Sequence, residues 1–261
     1  MKEYQKKLES IIEEKSLILE NEIKDRKQAE RKFLKAQREI KKAKNSMIFA
    51  LATLAESRDS ETGAHTLRIR EYCKCLSVRL KKEKYFKRKI TKQFIDDIYH
   101  TSVLHDIGKV GIPDSILLKN GKLTEREFEI MKTHSEIGGR TLAKVYESHP
   151  NHSFLEMATD IVLHHHEKWN GEGYPRGLCA HEISLASRIV TFADIFDALM
   201  SKRTYKEAFS KEKTLEIMRS EKGVTLDPYI FQYFEEVFDE FVRIFEAFED
   251  DSIDFSSSYY L

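Results

Sequence analysis

An all-α fold is what this sequence predicts, and three observations predict it. Residues 2–46 contain neither Pro nor Gly and are dominated by Glu, Lys, Arg, Leu, Ile and Ala. Helix-start signals recur further on: Thr124 with Glu127 three residues later, Ser184 before an apolar run, and Asp227 followed by Pro228. No stretch alternates apolar and polar residues over the length of a strand.

Taken in order, residues 1–46 read as a coiled-coil linker helix. Ile12, Leu19, Phe33, Ile40 and Met47 share one heptad position, while Leu8, Ala29, Ala36, Ala43 and Ala50 share its partner position. That spacing predicts a parallel homodimer, with a seam weakened midway by Lys15, Glu22 and Arg26. Such a helix resembles the signalling linkers that join a sensor domain to an output domain. Residues 47–250 form the second expected unit. It begins with a helix over 65–80 and a basic, solvated loop over 81–92. A helix from 93 to 105 then breaks at Gly108, Gly111 and Pro113. Thr124 opens a helix, Gly138-Gly139 sits beside another helical segment that carries Leu142 and Val145, and 147–153 connects that segment to a helix over 154–167. That helix runs into the Gly171-Glu172-Gly173-Tyr174-Pro175 turn. Ser184 caps a helix through Asp194 to Leu199, and Asp227 opens a single acidic, aromatic final helix. Residues 251–261 are expected to be a disordered tail.

Composition narrows the function. Lys plus Arg and Asp plus Glu balance at 44 each, so no global basic field exists to hold nucleic acid. The longest apolar run, residues 47–55, is far too short to span a membrane. There is no secretory signal pattern, and three cysteines (Cys73, Cys75, Cys179) make no even disulfide framework. The expectation is a reduced, cytoplasmic protein.

The chemistry concentrates around His105 and Asp106, read together with Glu61, His65, His134, His165, His166 and Asp194. Glu61 and His65 lie one helical turn apart and share a direction. His105 with Asp106, and His165 with His166, each end a segment, where a side chain can face an open cavity. Asp194 interrupts an apolar helix, a placement costing several kcal/mol unless the charge is paired or metal-bound. Five histidines and three carboxylates exceed the needs of one tetrahedral ion and suit two or three transition-metal ions. Two ions a few ångströms apart can share a hydroxide and aim it at phosphorus. Lys109, three residues after Asp106, would neutralise charge growing on phosphoryl oxygens. The motif therefore points to metal-assisted hydrolysis of a phosphate ester, with His105, Asp106 and Lys109 at its centre.

The runs Glu56-Ser57-Arg58-Asp59 and Glu61-Thr62-Gly63-Ala64-His65, HDIGKVGIPD from His105, HHEKWNGEGYPRGL from His165, ADIFDAL from Ala193 and RTYK from Arg203 resemble the HD-GYP family. The resemblance covers roughly residues 47–235. It implies an HD-type helical bundle with a C-terminal GYP helical extension that hydrolyses cyclic di-GMP to linear pGpG and on to GMP. It also implies an iron-type bi- or trinuclear centre, with Mn as the other candidate. By position the metal ligands would be Glu61, His65, His105, Asp106, His134, His165, His166 and Asp194. Lys109, Arg203 and Lys206 would hold substrate phosphates. Glu61 matches the members proposed to hold a third ion, and His164 falls outside the ligand set. Asn170, Thr204 and Ser184 depart from the usual pattern at turn positions. The GYP turn is expected to shape a loop or to contact a partner, an upstream sensor or a diguanylate cyclase. Two rivals stay open: another cyclic dinucleotide such as cyclic GMP-AMP as substrate, or a non-catalytic module that binds cyclic di-GMP and signals.

Overall fold

Helix caps and glycines set most element boundaries in the computed structural model, which describes residues 1–58, 63–150, 152–202 and 208–248. Ten α-helices follow one another: α1 (Lys2–Glu56), α2 (Gly63–Leu80), α3 (Lys92–Thr101), α4 (Asp114–Leu117), α5 (Glu125–Ser148), α6 (Ser153–His164), α7 (Leu185–Met200), α8 (Lys211–Ser220), α9 (Pro228–Glu236) and α10 (Phe238–Ala247). Short 3₁₀ turns occupy Ser102–Leu104, Ile107–Gly111 and Ala180–Glu182. No strand occurs among the described residues, only the isolated bridges Asn170–Cys179 and Lys222–Leu226. The all-α expectation holds.

The chain divides into two compact units, Met1–Met47 and Ile48–Leu261. In the first, every residue from 1 to 44 is exposed. In the second, a large core gathers around α2, α7, α9 and α10. Tyr72 stacks on Phe241 at 4.7 Å, and Phe196 meets both Tyr72 and Phe241 edge-on. A smaller core joins Phe49 and Ala52, at the end of α1, to Val103, Leu104, Ala158 and Val162.

The caps behave as their residue types require. Thr124 Oγ1 accepts from the Glu127 amide while the Glu127 carboxylate accepts from the Thr124 amide, so α5 starts where the pair sits. Ser184 accepts from the Ser187 amide to open α7. Asp227 accepts from the amides of Tyr229 and Ile230 to open α9. Five expectations need correction. The separate segments expected around Gly138-Gly139 are one continuous helix, α5. The final acidic helix is two, α9 and α10, parted at Val237. α8 is a further helix that its sparse apolar pattern hid. Residues 81–92 are not merely solvated, because Phe86 and Ile90 anchor them in the core. The 147–153 connector is shorter than expected, since α5 runs on to Ser148. The expected 251–261 tail lies outside the described residues.

Candidate metal centre

Close backbone approach brings the key residues together. Gly108 sits in the Ile107–Gly111 turn, and a Cβ there would lie 1.9 Å from the carbonyl oxygen of His134 and 2.7 Å from the Gly138 amide nitrogen. Only glycine lets that turn rest on α5, so His134 reaches Asp106, with Nε2 3.2 Å from Oδ1. α6 packs against both α5 and α7 and delivers His165 and His166 just beyond its last turn. Their rings stand 4.0 Å apart, because the helix ends at His164 and consecutive side chains no longer diverge by a helical step. α2 supplies His65 from its first turn, 3.4 Å from His105 between the two Nε2 atoms.

Each buried imidazole spends its Nδ1 on an acceptor outside the centre. His65 donates to Asp197 Oδ2 at 2.7 Å, His105 to the Ser102 carbonyl at 2.9 Å, His134 to Met131 at 2.8 Å and His165 to Ile161 at 3.0 Å. With Nδ1 protonated, the Nε2 lone pairs of all four point inward. Asp197 is held in turn by Arg68, from Nε at 2.6 Å and from its second nitrogen at 2.8 Å, and by the Tyr72 hydroxyl at 3.2 Å. Burial works against the Asp197 charge, and Arg68 and His65 more than offset it, so its carboxyl lies below the usual range.

Two ligand groups result, each with donor atoms mutually within 4.8 Å: Asp106, His134, His165 and His166, and Glu56, His65 and His105. They abut through His105 and Asp106, whose Nε2 and Oδ2 are 3.4 Å apart. Asp106 Oδ1 and His165 Nε2 are buried 3.7 Å apart without a hydrogen bond, and the Nε2 atoms of His65 and His105 face each other as acceptors. Acceptors facing one another out of water repel unless a cation lies among them, so these donors fit metal ions. Burial raises the Asp106 carboxyl, but its charged neighbours, Lys109 foremost, hold it well below the ordinary carboxylate range. His166 is pushed well below the ordinary imidazole value by burial, then by His165 and His134, which keeps it a neutral donor.

Around this centre, Lys109 Nζ lies 3.0 Å from Asp106 Oδ2. The Tyr174 ring lies 4.7 Å from His166 and 6.5 Å from His134. Its loop is clamped by Glu167, whose carboxylate accepts from the Arg176 amide at 2.7 Å and the Leu178 amide at 3.0 Å. Gly173 is required there, since a Cβ would fall 2.3 Å from the Lys168 amide nitrogen. Arg58, just past α1, donates to the Val110 carbonyl at 2.6 Å and to Asp114 at 2.5 Å, fastening the loop that carries the His-Asp pair.

A family profile described as "HD domain" matches residues 49–230. The chain belongs to the HD-domain family. Within it, a "Cyclic di-GMP phosphodiesterase" of Vibrio cholerae is 45% identical over 82% of this chain and 44% of the relative. A protein of the same description from Thermotoga maritima is 40% identical over 77% of this chain and 51% of the relative. A Vibrio cholerae "3'3'-cGAMP-specific phosphodiesterase 2" is 35% identical over 81% and 38%. The chain thus spans about half the length, or less, of these curated relatives. A crystal structure of a cyclic GMP-AMP-specific phosphodiesterase from Vibrio cholerae shares the HD-domain fold, with a TM-score of 0.52 at 17% identity over 82% of this chain and 52% of that one.

Of the expected ligands, His65, His105, Asp106, His134, His165 and His166 come together in the HD domain. Asp194 lies half-buried on α7 and joins neither group, although its charge reaches Tyr174 and Cys73. Glu61, Arg203 and Lys206 lie outside the described residues. His164 pairs with Asp160 at 2.9 Å, apart from the centre as expected. Trp169 packs on His181, Tyr229 and Arg188 beneath the turn. Tyr174, assigned a shaping or partner-contacting role by its motif, stands against His166, one of the residues that could hold a metal ion. Two contributors escaped the sequence reading. Glu56 opens one of the HD-GYP-like runs but was assigned no ligand role, yet it is buried and accepts from Thr66 Oγ1. Asp197 was detectable in principle, being a second carboxylate one turn beyond Asp194 on an apolar helix.

Proposed function

We propose that this chain is a metal-dependent phosphodiesterase that opens cyclic di-GMP to linear pGpG, with GMP as the further product. One observation carries the reading: two groups of inward-aimed nitrogens and oxygens abut through neighbouring residues, His105 and Asp106. Asp106, His134, His165 and His166 would hold one ion, and His65 and His105 a second, with Glu56, Glu61 and Asp194 as the carboxylates available to a second or third. Such ions supply Lewis-acid polarisation of a phosphoryl group and an acidified water. Mixed imidazole and carboxylate donors accept several first-row ions, and the HD-GYP resemblance favours Fe, with Mn as the other candidate. Lys109 neutralises charge developing on the phosphoryl oxygens, and Arg203 and Lys206 hold the outer phosphate. The relatives' names support a cyclic dinucleotide as substrate. A second reading, cyclic GMP-AMP as substrate, is favoured by the relatives described as specific for that dinucleotide.

The unpaired thiols support a reducing, cytoplasmic setting. Among the described residues no helix is long and apolar enough to cross a membrane. A second copy of the chain would cover the α1 seam, where Ile12, Leu19, Phe33, Ile40 and Met47 are each more than half exposed. A sensor would act through that helix, or a diguanylate cyclase through the GYP loop. The test is incubation of Fe- or Mn-loaded protein with each dinucleotide under reducing conditions. Linear product is expected; binding without turnover would replace the hydrolase with a receptor.

A further inference from the structure

Phe128 is 47% exposed on α5, the helix that carries His134 less than two turns later. Single exposed apolar side chains are common on protein surfaces, so what distinguishes this ring is its place beside the centre together with its aromatic and cationic neighbours. Its edge-on neighbour is Tyr174, with centroids 6.5 Å apart at 84°. Tyr174 in turn lies 4.7 Å from His166. Two ring-to-ring steps therefore lead from His166 to an open aromatic face. The Lys132 ammonium completes the arrangement, 5.6 Å from the centroids of both Phe128 and Tyr174. Lys132 pairs with Glu129 at 2.6 Å, but that carboxylate is 68% exposed, so the pair does not lock the ammonium against a ligand.

We propose that Phe128 and Lys132 form a purine subsite at the mouth of the centre, with Phe128 as the stacking shelf and Lys132 as the donor that reads the base edge. A purine offers the flat π-face that an exposed phenyl ring accepts. Guanine presents O6 and N7, two acceptors side by side that an ammonium can bridge, whereas adenine places an amino donor at the first. Lys132 also adds positive charge beside Tyr174, the ring that stands against His166. This inference rests on the phosphodiesterase reading, because it takes a cyclic dinucleotide as the ligand.

The experiment compares wild type, Phe128→Ala, Phe128→Trp and Lys132→Met as full-length, metal-loaded proteins. Calorimetric affinity for cyclic di-GMP, KM, kcat and metal content are measured for each. Phe128→Ala should weaken binding and raise KM about tenfold, with kcat falling far less than KM rises and metal content unchanged. Phe128→Trp should restore affinity, which a merely structural role would not predict, and Lys132→Met should weaken binding several-fold. Equal affinity of wild type and Phe128→Ala would overturn the subsite. Binding by wild type without product would overturn the hydrolase reading, while the affinity ratios still judge the subsite. No binding by wild type would overturn both.

Discussion

Asp197 never enters either ligand group, yet its carboxylate decides which nitrogen His65 offers. It accepts the Nδ1 proton, leaving Nε2 as a lone pair 3.4 Å from that of His105. Asp197→Asn would present an amide that can donate to Nδ1 and favour the other tautomer. Metal affinity should fall about 10- to 100-fold, the usual cost of losing a ligand's outer partner, as read by competition with a metallochromic chelator. Unchanged affinity would mean that His65 is no ligand. Lys109 acts on substrate instead. Lys109→Ala should keep its metal by elemental analysis while kcat falls about 100-fold or more, the scale of removing one charge-stabilising donor. Loss of metal in that variant would make Lys109 structural. His105, His165 and His166 were legible in the sequence because they end segments where a side chain can face a cavity, whereas His134, in the polar run 132–136, was legible only through the family resemblance. Asp197 was less so, since its role depends on Arg68 and His65, which come from another helix. Glu56 could not be told from the other α1 carboxylates without the fold that buries the end of that helix.

At the scale of elements, α5 is fixed at its start by the capping box and in its middle by the glycine contact that seats His134. Hydrogen bonds from Lys119 and from the Thr124 amide and hydroxyl hold the Glu127 carboxyl down to about 2, against 4.5 for a free glutamate. A depressed folded value means stability that is present above 4.5 and lost as pH falls toward 2. Glu127→Gln retains the cap geometry but not this charge. The wild type's advantage over it in urea unfolding should therefore be largest near neutrality and shrink at pH 3; a constant gap would remove the carboxylate from the account. Helix starts could be read from Thr124, Ser184 and Asp227 because a cap is a local chemical event. The break at Val237 could not, since neither Gly nor Pro marks it and packing alone separates α9 from α10. α8 was hidden for the related reason that only Thr214 and Met218 of its ten residues are buried.

At the scale of the whole molecule, the proposed pairing of two copies would cover the exposed seam of α1. Fully covering a Leu, Ile or Phe side chain is worth about 1.5–3 kcal/mol, and Lys15, Glu22 and Arg26 leave the middle of the seam without that gain. Phe33→Glu with Ile40→Glu should turn a dimer into a monomer by sedimentation at micromolar concentration. A wild type that is already monomeric would remove the pairing. The imidazoles carry a different consequence for the molecule. Protein acceptors, not cations, hold those four rings in place, so the cradle should outlast its cargo. Dialysis against a chelator should abolish turnover yet leave the far-ultraviolet helical signal intact. Readding the ion should then restore activity without a refolding lag, and collapse of the signal on chelation would show that the cations build the cradle themselves.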